Sequence, residues 1–290
     1  MPRRLALALV VLGTLAPSVA RAGAWTQSEG RCYAKLGARA ILGSGAYEAT
    51  GLRDARQGIV DYFDLQLGLY AECGLHDRFT AVLYGAPFGY AVADDDTFYV
   101  GPIGGAVRFD PLGDGGPTRL AFQLDYAYAP PVGDVALFDE PGASPRVIYQ
   151  PALENHYGEL TVQLGHGFSL DPNVSGWVQG SVGARLNSAD SMDPALTALA
   201  SVGFTFYGWF QVEAYFPFYE PFGQDVTVTN IAGVGQTRYL GFGARVSAWM
   251  VEQLAIYAAI DGVFYASSNA ATPAIQLGLE SRFRAWGEPD

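Results

Sequence analysis

Apolar and polar residues alternate one by one between residues 58 and 88. One set of alternate positions is apolar: Phe63, Leu65, Leu67, Leu69, Ala71 and Cys73. The intervening positions are mostly polar or aromatic: Tyr62, Asp64, Gln66, Gly68, Tyr70 and Glu72. A period of two places the sets on opposite faces of a β-strand. The apolar face spans about 11 residues, enough for a tilted strand to cross a bilayer. With a tight turn at Gly74–Asp77, the pattern predicts a membrane β-hairpin.

The same alternation recurs along the chain between turn residues. The predicted strands lie near residues 31–41, 58–73, 78–88, 98–109, 119–130, 155–170, 173–187, 196–206, 209–219, 235–247, 253–265 and 273–285. An even number is typical of single-chain outer-membrane barrels. Ten or fourteen strands are the alternatives, because the fourth strand and the junction of the eighth and ninth are the least distinct. The sequence predicts an all-β fold, a transmembrane antiparallel up-and-down β-barrel of about 12 strands.

The predicted connections alternate in length. Those after the even-numbered strands are mostly tight, whereas the others are longer or richer in Gly, Pro and Asp. The fifth connection runs from about Pro131 to Glu154. Outer-membrane barrels have short periplasmic turns and long extracellular loops. We therefore expect the tight turns in the periplasm.

Strand parity also separates an outward apolar face from an inward polar one. The outward set includes Phe122, Leu124, Tyr126, Val178, Val182, Ile256, Ile260, Leu277, Leu279 and Phe283. The predicted lumen-lining set is Lys35, Arg39, Asp64, Gln66, Glu72, Arg119, Gln123, Asp125, Glu159, Gln163, Gln179, Arg185, Gln211, Glu213, Arg245, Asp261, Glu280 and Arg282. Charges are costly in lipid, so their segregation to one face supports a membrane barrel.

The N-terminal residues have a different pattern. Two arginines precede an apolar run from Leu5 to Leu15, and Ala20-Arg21-Ala22 supplies an Ala-x-Ala cleavage site. These features predict a signal peptide over residues 1–22 and one outer-membrane barrel domain over residues 23–290. A membrane anchor helix is the alternative, but the apolar run is too short and Pro17 interrupts its far end.

Composition is consistent with this prediction. The chain is 50% hydrophobic and only 16% charged, with 17 Tyr and 17 Phe, which suits a barrel with aromatic girdles. A net charge of −12 disfavours nucleic acid as a partner. Acidic loops can bind divalent cations, but solvated loops are the simpler interpretation, so we predict no cofactor and no metal site. The expected partners are outer-membrane lipid and lipopolysaccharide, the barrel-assembly machinery and a small solute.

Two residue types raise further chemistry. Three histidines (His76, His156 and His166) scatter over different levels of the barrel, and no serine is clearly placed beside one, so we predict no enzyme.

Cys32 and Cys73 fall at the inner ends of the first two predicted strands, which are antiparallel neighbours. In an oxidising compartment this placement favours a disulfide, with two reduced thiols as the alternative.

The inward face bears on transport. A barrel of this size has a wider interior than an eight-stranded one, and its inward charges have both signs. Aromatic residues share that face by parity: Tyr62, Tyr70, Trp177, Tyr215, Tyr257 and Tyr265. Such a lining favours an outer-membrane channel for small hydrophobic or amphipathic solutes. The alternative is a structural or adhesive barrel whose loops, especially 131–154 and 219–234, bind partners.

The hairpin Glu72-Cys-Gly-Leu-His-Asp-Arg-Phe-Thr80 resembles a recurrent stretch of outer-membrane channels. In the phenol-degradation (MetA-pathway) family and related FadL-like transporters, a strand ends in Glu-Tyr-Gly-Leu, followed by Thr/Asn-Asp-Arg. The resemblance covers about 30 residues and implies a barrel that passes hydrophobic compounds. FadL-type transporters carry an N-terminal hatch, whereas only about Gly23–Gly30 precede the first predicted strand here.

The C-terminal end also departs from the common pattern. Many outer-membrane barrels end on an aromatic residue, whereas this chain continues past Phe283 to Asp290. We therefore expect the barrel-assembly machinery to recognise Leu277, Leu279 and Phe283.

Overall fold

The computed structural model describes residues 26–47, 53–54, 61–93, 95–113, 116–137, 146–223 and 228–286. The predicted signal peptide, residues 1–22, lies outside the described residues. The barrel strands are β1 (Arg31–Gly43), β2 (Tyr62–His76), β3 (Phe79–Val92), β4 (Ile103–Phe109), β5 (Thr118–Ala129), β6 (Asn155–Asp171), β7 (Val174–Asn187), β8 (Ala195–Phe206), β9 (Phe210–Pro221), β10 (Arg238–Val251), β11 (Leu254–Ser267) and β12 (Ala274–Arg284). In the described ranges, no helix is long and apolar enough to span a bilayer.

Each barrel strand pairs antiparallel with its sequence neighbours, and β12 pairs with β1 to close the barrel. Ala34 of β1, for example, lies opposite Ser281 of β12 and Ala71 of β2. Closure leaves no open sheet edge, which the interior of a bilayer requires. The predicted 12-stranded up-and-down barrel is confirmed, and the alternatives of ten and fourteen strands are wrong.

The fourth predicted strand, 98–109, is divided in the structure. A short strand, Asp96–Tyr99, pairs with the outer part of β3, and β4 starts only at Ile103. Pro102 lies in the gap and has no N–H with which to continue a ladder. Its carbonyl still accepts a hydrogen bond of 3.0 Å from the Ala86 amide.

The two ends of the barrel differ as the connection lengths predict. Connections at 77–78, 172–173, 207–209 and 252–253 are tight and lie at the end that also carries Arg31 and Arg284. We call this the inner end, because outer-membrane barrels have short turns towards the periplasm. The longest connections lie at the opposite, outer end, and the inner connection at 110–117 is the exception to the tight turns.

The outer surface of the barrel is apolar. Leu36, Leu124, Leu164 and Leu277 lie on four different strands and are each more than half exposed. The 18 predicted lumen residues, in contrast, are all buried or half-buried. A continuous exposed apolar belt around a polar interior is the arrangement expected of a barrel in lipid.

One inward aromatic prediction is wrong. Leu240 pairs with Tyr265, but the next residue, Gly241, pairs with Val263, so Phe264 is the extra residue of a β-bulge. The insertion shifts the parity of β11 by one residue. Tyr265 therefore faces outward and is 46% exposed.

Cys32 and Cys73 lie opposite each other on β1 and β2 and form the predicted disulfide. We expect the double variant Cys32→Ala/Cys73→Ala to lose about 2–4 kcal/mol of unfolding free energy, because the bridge constrains the unfolded chain. Guanidinium unfolding in lipid vesicles measures the change. Reductant should destabilise the parent barrel and leave the double variant unchanged; equal stability of the two proteins in oxidising buffer would contradict the prediction.

Candidate solute pathway in the barrel lumen

A buried ion pair lies near the inner end of the lumen. The Glu72 carboxylate on β2 and the Arg108 guanidinium on β4 are 3.2 Å apart, and their side chains are 0% and 3% exposed. The Tyr70 hydroxyl and the Gln27 side-chain amide also donate hydrogen bonds to Glu72, at 2.6 and 2.5 Å. Since β3 separates β2 from β4, the pair bridges β3 on the inside of the barrel.

Arg108 was not among the predicted lumen residues. It shares its inward parity with Gly104 and Ala106 on β4, but the break at Pro102 made this strand hard to delimit. Alternation counted backwards from Phe109 would have identified Arg108 as an inward cation.

A hydrogen-bonded network of amide and carboxylate side chains extends from Arg108 onto β5 and β6. The Arg108 Nε donates a hydrogen bond of 2.9 Å to Gln123, and the Gln123 amide donates to Asp125 at 3.0 Å. Gln163 donates to Gln123 at 3.2 Å. These contacts bring three predicted residues of β5 and β6 together in the barrel interior.

A second cluster lies on β6–β8. The Glu159 carboxylate lies 2.7 Å from the Arg185 guanidinium and accepts a hydrogen bond of 2.5 Å from the Thr197 hydroxyl. The Arg185 guanidinium also lies 4.3 Å from the centroid of the Tyr157 ring. The charge of Arg185 is thus offset by both a carboxylate and an aromatic face.

Three ion pairs line the opposite wall, and two of them join strands that are not adjacent. Arg39 of β1 contacts Asp261 of β11 at 3.0 Å, across the intervening β12. Arg245 of β10 contacts Glu213 of β9 at 2.6 Å and Glu280 of β12 at 3.3 Å. Pairs that skip a strand can form only inside the barrel, so these five side chains share the lumen.

Four further predicted lumen residues lie outside these clusters. Arg119 lies 3.6 Å from Asp110 beside an inner connection, and the Arg282 guanidinium stacks 3.5 Å from the centroid of the Trp249 ring. Gln211 is buried and Gln179 is half-buried.

A cavity of about 330 Å³ lies in the lumen. Its lining includes Tyr33, Lys35, Arg39, Gln66, Tyr70, Arg245, Tyr257 and Gln276. Four of these residues (Lys35, Arg39, Gln66 and Arg245) belong to the predicted lumen set. The cavity combines aromatic walls with hydrogen-bond donors, a combination that suits a small ligand with both apolar and polar parts.

Two loop segments fold over the outer mouth. The strand Arg146–Tyr149 pairs in parallel with Val228–Asn230, and Val147 and Ile231 are each only 1% exposed. They pack with Ile41, Tyr62, Ala91 and Ala274 of the barrel strands. We call residues 146–152 and 228–232 the outer plug. Parts of the predicted partner-binding loops therefore cover the lumen, because their apolar side chains are buried there.

Asp64 anchors the outer plug to the barrel wall. Its carboxylate is buried and accepts hydrogen bonds from the Tyr99 hydroxyl, at 2.9 Å, and from the Tyr149 hydroxyl. Burial raises the pKa of Tyr99 and of Tyr149, and the charge of Asp64 raises both further. Both hydroxyls therefore stay protonated and remain donors over the physiological pH range.

The histidines do not converge on one site. His166 is exposed on the outer surface, where its Nδ1 lies 2.8 Å from the Thr118 hydroxyl. His156 is also exposed and stacks on Tyr128, with ring centroids 4.4 Å apart. His76 is the last residue of β2 and is exposed at the inner end.

Comparison with known proteins gives a fold likeness. No family model and no curated protein matches the chain. An outer-membrane channel from Pseudomonas putida F1 is 12% identical, with a TM-score of 0.60, and the match covers 92% of this chain and 100% of the channel. The NanC porin is 8% identical, with a TM-score of 0.49 and coverage of 85% and 98%. The β-domain of the Bordetella autotransporter BrkA is 15% identical, with a TM-score of 0.49 and coverage of 86% and 99%.

The closed antiparallel barrel and its apolar outer belt indicate a membrane barrel, in agreement with the structural likeness. A soluble protein does not expose a continuous apolar surface on all sides, whereas a barrel in lipid does. The chain is an outer-membrane β-barrel with the fold of the Pseudomonas putida F1 outer-membrane channel.

Proposed function

We propose that the protein is an outer-membrane channel that passes small hydrophobic or amphipathic solutes. The observation that carries the proposal is the lumen cavity of about 330 Å³ between the inner ion pairs and the outer plug. Its volume is at the small end of the range of about 300–1,000 Å³ typical of ligand pockets. The cavity therefore suits solutes of one or two rings.

The lining supports an amphipathic solute. Tyr33, Tyr70 and Tyr257 supply aromatic surface, while Gln66 and Lys35 supply polar donors. Arg39, Arg185 and Arg245 are paired with inward carboxylates, so the lumen carries charges of both signs, unlike the one-sign rings of strongly ion-selective pores. We propose no catalytic role for these groups.

The likeness to the Pseudomonas putida F1 outer-membrane channel supports a channel. The resemblance of the Glu72–Thr80 hairpin to hydrophobic-compound transporters supports solutes of this kind. We further propose that residues 1–22 are removed on export. Leu277, Leu279 and Phe283, which are 61%, 47% and 45% exposed, are proposed to guide the barrel-assembly machinery and then to contact lipid.

Planar-bilayer recording tests the channel. We expect discrete current steps from the folded barrel, and fewer or smaller steps from Gly68→Trp, because Gly68 lines the cavity and a large side chain there fills it. Gly180→Trp is the matched control, since Gly180 is exposed and a Cβ there meets nothing within 4 Å. Absence of steps from the folded barrel would overturn the proposal and favour a structural or adhesive barrel.

A further inference from the structure

Lys35 is the only lysine in the sequence, and it faces the lumen cavity. It lies in the middle of β1, opposite Tyr70 on one side and Glu280 on the other. Its ammonium nitrogen lies 4.5 Å from the centroid of the Tyr257 ring. The cation is thus held at the cavity wall by an aromatic face.

The carboxylates nearest this cavity are bound to other groups. Asp261 pairs with Arg39, and both Glu213 and Glu280 pair with Arg245. None of the three carboxylates lines the cavity, whereas Arg39 and Arg245 do. The surface that a solute meets there consists of cations, amides and tyrosines.

Lys35 differs from these arginines. Among the residues that the structure describes, no carboxylate lies within ion-pairing distance of its ammonium group. A cation that is partly removed from water and has no carboxylate in direct contact attracts an anion into the same space. The cavity has room for one small molecule beside it.

We propose that the lumen cavity is a binding site for small organic carboxylates with an aromatic or apolar body. The carboxylate accepts hydrogen bonds from Lys35 and from either the Gln66 amide or the second N–H of the Gln276 amide, whose first N–H donates to Asp261. The body packs against Tyr70 and Tyr257. Ionic hydrogen bonds of this kind are stronger than neutral ones. The inference rests on the proposed channel function and names its solute class.

The single lysine permits a direct test with benzoate as the probe. Reductive methylation of the folded barrel in detergent modifies Lys35 and the N-terminal amine, and mass spectrometry follows the two separately. We expect benzoate to slow modification of Lys35 several-fold and to leave the N-terminal amine unaffected. Benzyl alcohol and benzyltrimethylammonium, which have the same ring without the carboxylate, should protect Lys35 little.

Substitutions test whether the residue that benzoate protects also determines the affinity for benzoate. Isothermal titration of benzoate should show that Lys35→Gln weakens binding about tenfold or more, while Lys35→Arg retains most of it. Arg78→Gln makes the same charge change in an exposed inner turn and should leave the affinity unchanged. Heat-modifiable gel mobility confirms that each variant is folded.

The outcomes separate this inference from the channel function. Equal protection by benzoate and benzyl alcohol, or unchanged benzoate affinity in folded Lys35→Gln, overturns the carboxylate site. Binding in micelles does not require passage through the barrel. A barrel that binds benzoate but gives no current steps would contradict only the proposed channel function. A barrel that conducts but does not bind benzoate would contradict only the proposed carboxylate site.

Discussion

The variant Arg108→Met should lose about 3–5 kcal/mol of unfolding free energy, because it leaves the Glu72 carboxylate charged, buried and without its ionic partner. The Glu72 side chain is 0% exposed, so water does not replace the guanidinium. Tyr70 and Gln27 still donate to the carboxylate, but neither carries a compensating charge. Guanidinium unfolding in lipid vesicles, followed by tryptophan fluorescence, measures the loss.

A more solvated pair supplies the control. Arg39 pairs with Asp261, but its side chain is 36% exposed, so Arg39→Met should cost about 1 kcal/mol or less. Equal losses in the two variants would show that the lumen is wet throughout and that burial does not distinguish the pairs. The double variant Glu72→Gln/Arg108→Met should recover part of the loss, since it also removes the orphaned charge.

Removal of the 146–152 segment of the outer plug should raise single-channel conductance several-fold, because an apolar constriction at the mouth excludes water and ions. Ala129 and Asn155 are register partners on β5 and β6, so a two-residue turn can join these strands. The variant replaces residues 131–153 with Asn-Gly and thereby deletes Val147 and Tyr149. Planar-bilayer recording compares its conductance with that of the parent barrel.

Two further variants define the role of the plug. Replacing residues 189–193 with Gly-Gly shortens another outer loop and should leave conductance unchanged. No residue of that loop belongs to the buried apolar cluster formed by the outer plug and the barrel strands. Asp64→Ala removes the acceptor for both Tyr99 and Tyr149, so we expect more frequent opening with the loop still present. If the barrel that lacks residues 131–153 has the same conductance as its parent, the constriction lies deeper, at the ion pairs of the lumen.

Much of the barrel was predictable because its strongest signal is local. Alternation with a period of two is set by the backbone of each strand, and in lipid the sorting is strict, since a charge on the wrong face is costly. That is why β6 matches its predicted bounds to within one residue and why the register of Cys32 and Cys73 could be anticipated. The prediction of Tyr265 was wrong where a bulge altered the local period.

The sequence by itself predicted a barrel of about 12 strands, the lipid-facing belt and a favoured disulfide, because each depends on alternation and neighbouring strands. The structure then fixed the strand number at 12 and formed the disulfide. Only the tertiary structure decided that Arg108 forms an ion pair with Glu72 across β3. It likewise decided that three lumen carboxylates pair with Arg39 and Arg245, while Lys35 faces a cavity. It also decided that two loops cover the outer mouth. These contacts join residues far apart in sequence, and their geometry follows from barrel curvature and loop packing, which no short-range pattern records.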